Sequence, residues 1–246
     1  MKKFVIANWK LYVSASKCAA VFEQFLRYEE VHAWYASLHV IIAPPILALP
    51  ELAARLKQAR RSKILLAAQD TGIADDGAYT GSISPRDLAK MGVAYVIVGH
   101  SERRQYFNED DALCRKKIVA AHAAHLKVIY CVGETKHERH EGRAQEIVRE
   151  QLQGIKTPEI IAYEPRWAIG TGLSIEPNEA RVMHEYIAHE MVREKSAVCY
   201  GGSVSPENAA HFVSIGNAAG VLVGSASTTV KTLGAIISKV DKLCRS

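Results

Sequence analysis

Short apolar runs recur along this chain, and longer stretches of mixed polarity separate them. The runs begin near Phe4, His39, Ile64, Ala94, Lys127, Ile160, Ala197 and Val221. Each is continuous rather than alternating, the pattern of parallel strands covered on both faces. The stretches between them carry helical periodicity. Residues 14–30, for example, place Val21, Phe22, Phe25 and Leu26 on one stripe. Start signals accompany several helices. Ser84-Pro85-Arg86-Asp87 joins a cap, a first-turn proline and an acid. Ser205-Pro206-Glu207 repeats the cap and proline, and Asn108-Glu109-Asp110-Asp111 is an acidic start. The spacing of the runs suits one strand-plus-helix unit each. Eight such units in 246 residues predict a single-domain α/β fold, a closed (β/α)8 barrel over residues 1–246. An open doubly wound sheet is the alternative, but no Gly-x-Gly-x-x-Gly follows the first run. No linker or low-complexity tract marks a domain boundary.

Composition narrows the class. With 48% hydrophobic and 23% charged residues, the chain can bury a sizeable core without staples. The net charge of +5 is dispersed, and Arg103-Arg104 and Arg115-Lys116-Lys117 have acids beside them. That excludes a nucleic-acid stripe and a polybasic tail. The five cysteines form no Cys-x-x-Cys pair and their number is odd. Reduced thiols in a cytoplasmic protein are expected, not a disulfide frame or a zinc site. Cys131 and Cys199 lie inside apolar runs and read as core residues rather than nucleophiles. The four apolar residues after Met1-Lys2-Lys3 are too few for a signal peptide, and no segment is long enough to span a membrane.

In a barrel of this kind, chemistry sits where strands end. The first run exits through Asn8-Trp9-Lys10, and the fourth through Gly99-His100-Ser101-Glu102-Arg103-Arg104. The fifth exits through Gly133-Glu134-Thr135, and the sixth through Glu164. The seventh and eighth exit through Gly201-Gly202-Ser203 and Gly224-Ser225. Glu164 ends an apolar run, Pro165 stiffens the exit, and a short loop closes on Gly170 and Gly172. That is the layout of a general base followed by a lid. Lys10 reads as a solvated charge or a functional amine, and Asn8 as a turn former or a ligand to substrate. A helix starting after His100 would keep its ring neutral. Glu102 is either a surface acid or the partner that fixes Lys10. The turns at 201–203 and 224–225 are ordinary loops or a phosphate site built from backbone N–H groups. No cluster has metal-ligand spacing, so no metal is expected.

Taken together, Ala7 to Lys10, Gly77 to Gly81, Gly99 to Arg104, Cys131 to Thr135, Tyr163 to Gly172 and Tyr200 to Val204 resemble the triosephosphate isomerase family in order and spacing. The resemblance covers nearly the whole chain. It implies a homodimeric cytoplasmic enzyme of glycolysis and gluconeogenesis that interconverts dihydroxyacetone phosphate and D-glyceraldehyde 3-phosphate. It implies no redox cofactor, and neither nucleic acid nor membrane as partner. In that reading Glu164 is the base, and neutral His100 polarises the carbonyl and shuttles protons. Lys10 stabilises the enediolate, Asn8 holds substrate oxygens, and Glu102 orients Lys10. Gly170, Ser203, Gly224 and Ser225 hold the phosphate through backbone N–H groups, and Ile169 and Leu222 press on Glu164. Two other readings use the same residues. Another aldose–ketose phosphate isomerase has the joint presence of Asn8, Lys10, His100 and Glu164 against it. A barrel that binds without catalysing should show damage at the base or the electrophile, and neither is damaged.

Four departures from the family pattern stand out. Arg166 stands at a hinge position usually occupied by a small aliphatic residue, and Leu173-Ser174-Ile175 replaces the usual second hinge. Ser225 replaces a glycine, which would store strain if the position needs φ > 0. Ser82 replaces a glutamate that usually pairs with an arginine at the Arg103 position. That pair is lost, so Ser82→Glu is expected to tighten a dimer built on the 77–82 loop.

Overall fold

The computed structural model describes residues 2–32, 34, 37–168, 175–190 and 196–245. Among these, eight parallel strands close into a barrel in sequence order. They are β1 (Lys3–Asn8), β2 (Leu38–Ala43), β3 (Leu65–Ala68), β4 (Tyr95–Val98), β5 (Lys127–Val132), β6 (Ile160–Tyr163), β7 (Ala197–Tyr200) and β8 (Ala218–Val223). The helices between them are α1 (Ala15–Val31), α2 (Leu49–Gln58), α3 (Pro85–Met91), α4 (Ser101–Tyr106), α5 (Asp111–Ala123), α6 (Lys136–His140), α7 (Ala144–Leu152), α8 (Pro177–Glu190), α9 (Ala209–Ser214) and α10 (Val230–Arg245).

The strand runs are continuous because both faces are buried. Ile6, Ile41, Ile97, Ile129, Cys131 and Ala162 point into the barrel. Their neighbours Val5, Val40, Val96, Val98, Val128 and Tyr130 pack under the helices. This is the two-residue alternation of a strand with apolar side chains on both sides. Several start signals are realised. The Ser84 hydroxyl accepts from the Asp87 N–H with Pro85 in the first turn, and Asp110 caps α5 by accepting from the Leu113 N–H.

Two boundaries differ from the sequence reading. β8 begins at Ala218, three residues before Val221. Ala218, Ala219 and Gly220 carry little strand propensity, and pairing with β1 and β7 overrides it. The Ser205-Pro206-Glu207 segment forms a turn, and α9 starts only at Ala209. There Asn208 uses its side chain to accept from Ser205 N–H and to donate to the Ser203 carbonyl, so the polar groups that would cap a helix tie the loop after β7.

His184 on α8 is fully buried against the Tyr163 and Tyr200 rings, and neither of its ring nitrogens has a hydrogen-bond partner among the described residues. Burial lowers its pKa from 6.5 to about 4. Between those values the unfolded chain binds a proton that the native protein does not. Stability from this residue is therefore full above about pH 6.5 and falls as the pH drops toward 4. The loss is of order 3 kcal/mol. Urea midpoints followed from neutral pH downward should fall less steeply for His184→Phe than for the wild type, and parallel profiles would refute this.

Candidate active site

The strand exits gather the expected polar residues at one end of the barrel. A cavity of about 330 Å3 opens there, and Lys10, His100, Ser203, Leu222, Gly224 and Ser225 line it. Gly201 from the seventh exit and Ser205, read as a helix cap, line it too, as do Tyr12 and Asn208, which the sequence reading did not single out. Ile169 and Gly170 lie outside the described residues, as do Leu173 and Ser174.

Glu164 follows β6 and is 1% exposed. Its Oε2 accepts from the Ser101 backbone N–H at 3.0 Å. Its Oε1 lies 3.5 Å from His100 Nε2 and is buried with no hydrogen-bond partner among the described residues. A carboxylate with one oxygen anchored and the other unsatisfied is arranged to receive a proton. Two close approaches hold it. A Cβ on Gly133 would stand 1.8 Å from the Glu164 carbonyl oxygen, and one on Gly201 would stand 2.8 Å from Glu164 Cγ. Only glycine admits these contacts. Behind Glu164 the Cys131 thiol is held well above the usual range by burial and by the Glu164 charge, so it stays protonated.

His100 precedes α4. The Glu102 backbone N–H donates to His100 Nδ1 at 3.2 Å. A nitrogen that accepts this bond carries no proton, so the ring is neutral with its N–H at Nε2, on the side of Glu164. Lys10 Nζ meets Glu102 Oε1 at 2.6 Å. Its backbone is left-handed, with φ 47°, a conformation that costs a non-glycine residue about 1–2 kcal/mol. Asn8 Oδ1 accepts from the Lys10 N–H at 3.2 Å, and Gln69 Nε2 donates to the Lys10 carbonyl at 3.1 Å, so side chains on both sides hold that turn. Asn8 faces the neighbouring groove rather than lining the cavity, and its carbonyl oxygen is already engaged.

The loops after β7 and β8 close the far wall. Ser203 Oγ donates to the Ala168 carbonyl at 2.7 Å, tying β7's loop to the turn Arg166–Ala168. Glu134, fully buried, accepts from the Tyr163 hydroxyl, Trp167 Nε1 and Arg139 Nη1. Its carbonyl accepts from the Arg166 N–H at 3.0 Å, so the base of the predicted lid rests on one carboxylate and its peptide. Ser225 has no positive φ, and the strain considered for it does not arise.

The family model for triosephosphate isomerase matches residues 3–240. The chain belongs to the triosephosphate isomerase family. A triosephosphate isomerase of Caldanaerobacter subterraneus subsp. tengcongensis is 37% identical over 97% of this chain and 100% of its own length. One of Dictyoglomus thermophilum is 39% identical over 92% of this chain and 94% of its own. One of Gloeobacter violaceus is 38% identical over 96% and 98%. Membership makes this chain an isomerase that interconverts dihydroxyacetone phosphate and D-glyceraldehyde 3-phosphate, and the closed barrel is the family's fold.

The pair expected with residue 82 is absent, yet Arg103 has partners. Its Nη2 lies 2.8 Å from Asp70 Oδ2, and its Nε donates to Glu109 Oε2 at 2.7 Å. Asp70 lies two residues past β3 and reaches Arg103 through barrel closure, whereas Glu109, just before α5, reaches it across the short α4–α5 connection. Among the described residues no helix is long and apolar enough to cross a membrane.

Proposed function

We propose that the isomerisation runs through an enediolate in the cavity at the strand ends, with Glu164 as the base. The observation that carries this reading is the buried Oε1 of Glu164, which has no hydrogen-bond partner among the described residues and lies 3.5 Å from the Nε2 of His100. Glu164 takes a proton from the carbon beside the substrate carbonyl and returns it to the neighbouring carbon. Neutral His100 donates from Nε2 to the oxygen that gains charge, and Lys10 adds a positive charge at the same wall. Glu102 fixes Lys10. Asn8 acts through its amide and through the turn that presents Lys10. The backbone N–H groups of Ser203, Gly224, Ser225 and Gly170 hold the phosphate, while Leu222 and Ile169 keep water from the carboxylate. Binding of the remote phosphate closes the 165–172 segment, which turns binding energy into catalysis. The direct test is conversion of dihydroxyacetone phosphate to glyceraldehyde 3-phosphate by the purified protein. Absence of turnover in a folded sample would overturn the reading.

The enzyme works as a cytoplasmic homodimer in this reading. A groove of about 500 Å3 beside the cavity is lined by Leu11, Pro45, Ile46, Leu47 and Phe107, among others. Leu11 is 87%, Leu47 81% and Phe107 64% exposed. Apolar side chains this exposed around one groove mark an interaction surface, and the 77–82 loop of a second copy is the occupant. Because Asp70 and Glu109 already engage Arg103, Ser82→Glu is now expected to leave association unchanged. Sedimentation velocity across a dilution series checks this, and a tighter dimer would restore the original expectation for residue 82.

A further inference from the structure

Gly133 lies one residue past β5, beyond the last ladder pair between β5 and β6, Val132 with Tyr163. Its peptide still packs on the backbone of Glu164. With no strand partner left, both of its polar groups turn to one side chain. The Gly133 N–H donates to Gln151 Oε1 at 2.8 Å, and Gln151 Nε2 donates to the Gly133 carbonyl at 3.1 Å. A primary amide presents a donor and an acceptor side by side, so buried Gln151 on α7 extends the ladder where β6 cannot. Gln151 is itself braced. The Tyr130 hydroxyl donates to the Gln151 carbonyl at 2.9 Å, and Arg104 Nη2 donates to the Tyr130 hydroxyl at 3.1 Å. Arg104 Nε then donates to the Gly99 carbonyl at 2.9 Å, next to His100. One chain of bonds thus joins the peptide behind the base to the peptide that carries the imidazole. None of its side chains lines the cavity.

We infer that Gln151, braced by Tyr130 and Arg104, is a positioning residue that sets the separation of Glu164 and His100. The inference rests on the reading of Glu164 as the base. Without the amide, the buried N–H and carbonyl of Gly133 must find other partners, and the peptide shifts. A misplacement of about 1 Å in a reacting geometry lowers rate roughly a hundredfold.

Gln151→Met keeps side-chain volume and removes both bonds. It is expected to lower kcat about tenfold or more with KM nearly unchanged, because the phosphate wall is untouched. Gln151→Glu supplies the readout that a merely structural role would not move. A protonated carboxyl offers the same donor and acceptor as the amide, whereas its anion has no donor and faces the Gly133 carbonyl. Burial raises the pKa of the introduced carboxyl. Gln151→Glu should therefore exceed Gln151→Met in kcat at the acid end of the profile. Tyr130→Phe removes only the brace and should lower kcat in the same direction by less, which keeps the test open if Gln151→Met does not fold. Wild-type kcat in folded Gln151→Met overturns the inference, or in Tyr130→Phe if Gln151→Met does not fold. So does a loss confined to KM, or a Gln151→Glu no better than Gln151→Met at every pH. Glu164→Gln is assayed alongside. If it keeps turnover, the base assignment fails. If it loses turnover while Gln151→Met does not, only the clamp fails.

Discussion

Glu164→Gln is expected to lower kcat by about 10³-fold or more, near the upper part of the range for loss of a general base. The amide is isosteric, and its oxygen can still accept from the Ser101 N–H that now holds Oε2. The fold and the approach of Gly133 and Gly201 are therefore preserved. What disappears is the proton acceptor at Oε1, a buried carboxylate oxygen 3.5 Å from His100 Nε2 that has no hydrogen-bond partner among the described residues. KM should change little, because the proposed phosphate site is remote from the carbon that loses its proton. Glu164→Asp separates position from chemistry. It keeps the carboxylate but withdraws it by one methylene, and a displacement of that size costs roughly a hundredfold. The ordering wild type, Asp, Gln in kcat is the expected result. A glutamine variant within tenfold of wild type would remove Glu164 from the role.

Lys117→Met is expected to destabilise the fold by about 3–5 kcal/mol, a large part of the 5–15 kcal/mol typical of a folded domain. Lys117 Nζ lies 2.6 Å from Asp70 and 2.7 Å from Glu109, and Arg103 bridges the same two carboxylates. The Glu109 side chain is 1% and the Lys117 side chain 6% exposed, so solvent screens this pair little, while Asp70 and Arg103 at the rim are 19% and 28% exposed. Burial raises the Glu109 carboxyl, but Lys117 and Arg103 outweigh it and hold the group below the usual range. At Asp70 burial wins over the same two cations, and its carboxyl is raised. The difference follows from Glu109 taking side-chain hydrogen bonds from both Lys117 and Arg103, whereas Asp70 is lowered by a hydrogen bond from Lys117 alone and is raised by the Glu109 charge. Removing Lys117 leaves the buried Glu109 and the partly buried Asp70 on one arginine. The double variant Lys117→Met with Asp70→Asn restores charge balance and should recover part of the loss. Urea midpoints of the two variants check both statements. A single variant within 1 kcal/mol of wild type would mean that water reaches the cluster.

Sequence and structure divide the work along a physical line. The strand ends were legible because a continuous apolar run followed by a polar residue is a local signal. Asn8, His100 and Glu164 each follow such a run or end it, and caps such as Ser84 and Asp110 are written within four residues. Asn108 to Asp111 was legible only as a helix start. Nothing in those four residues tells that Asp110 caps while Glu109 turns inward to Arg103 and Lys117. Ser205 misled because its hydroxyl and the Asn208 amide serve a loop, a choice made by the neighbouring Ser203 carbonyl.

The sequence by itself determined eight strand-and-helix units, the barrel they close into, and the chemical types placed at the strand exits. Each of these is encoded in a window of about ten residues, by periodicity, caps and turn chemistry. Only the tertiary structure decided the partners. Ser101 N–H on Glu164 spans 63 positions, Glu102 on Lys10 spans 92, and Lys117 on Asp70 spans 47. Gln151 reaches Gly133 because α7 lies against the end of β5. Such pairs follow no local rule. They exist because barrel closure buries these polar groups together, where each must find a partner or carry the cost of having none.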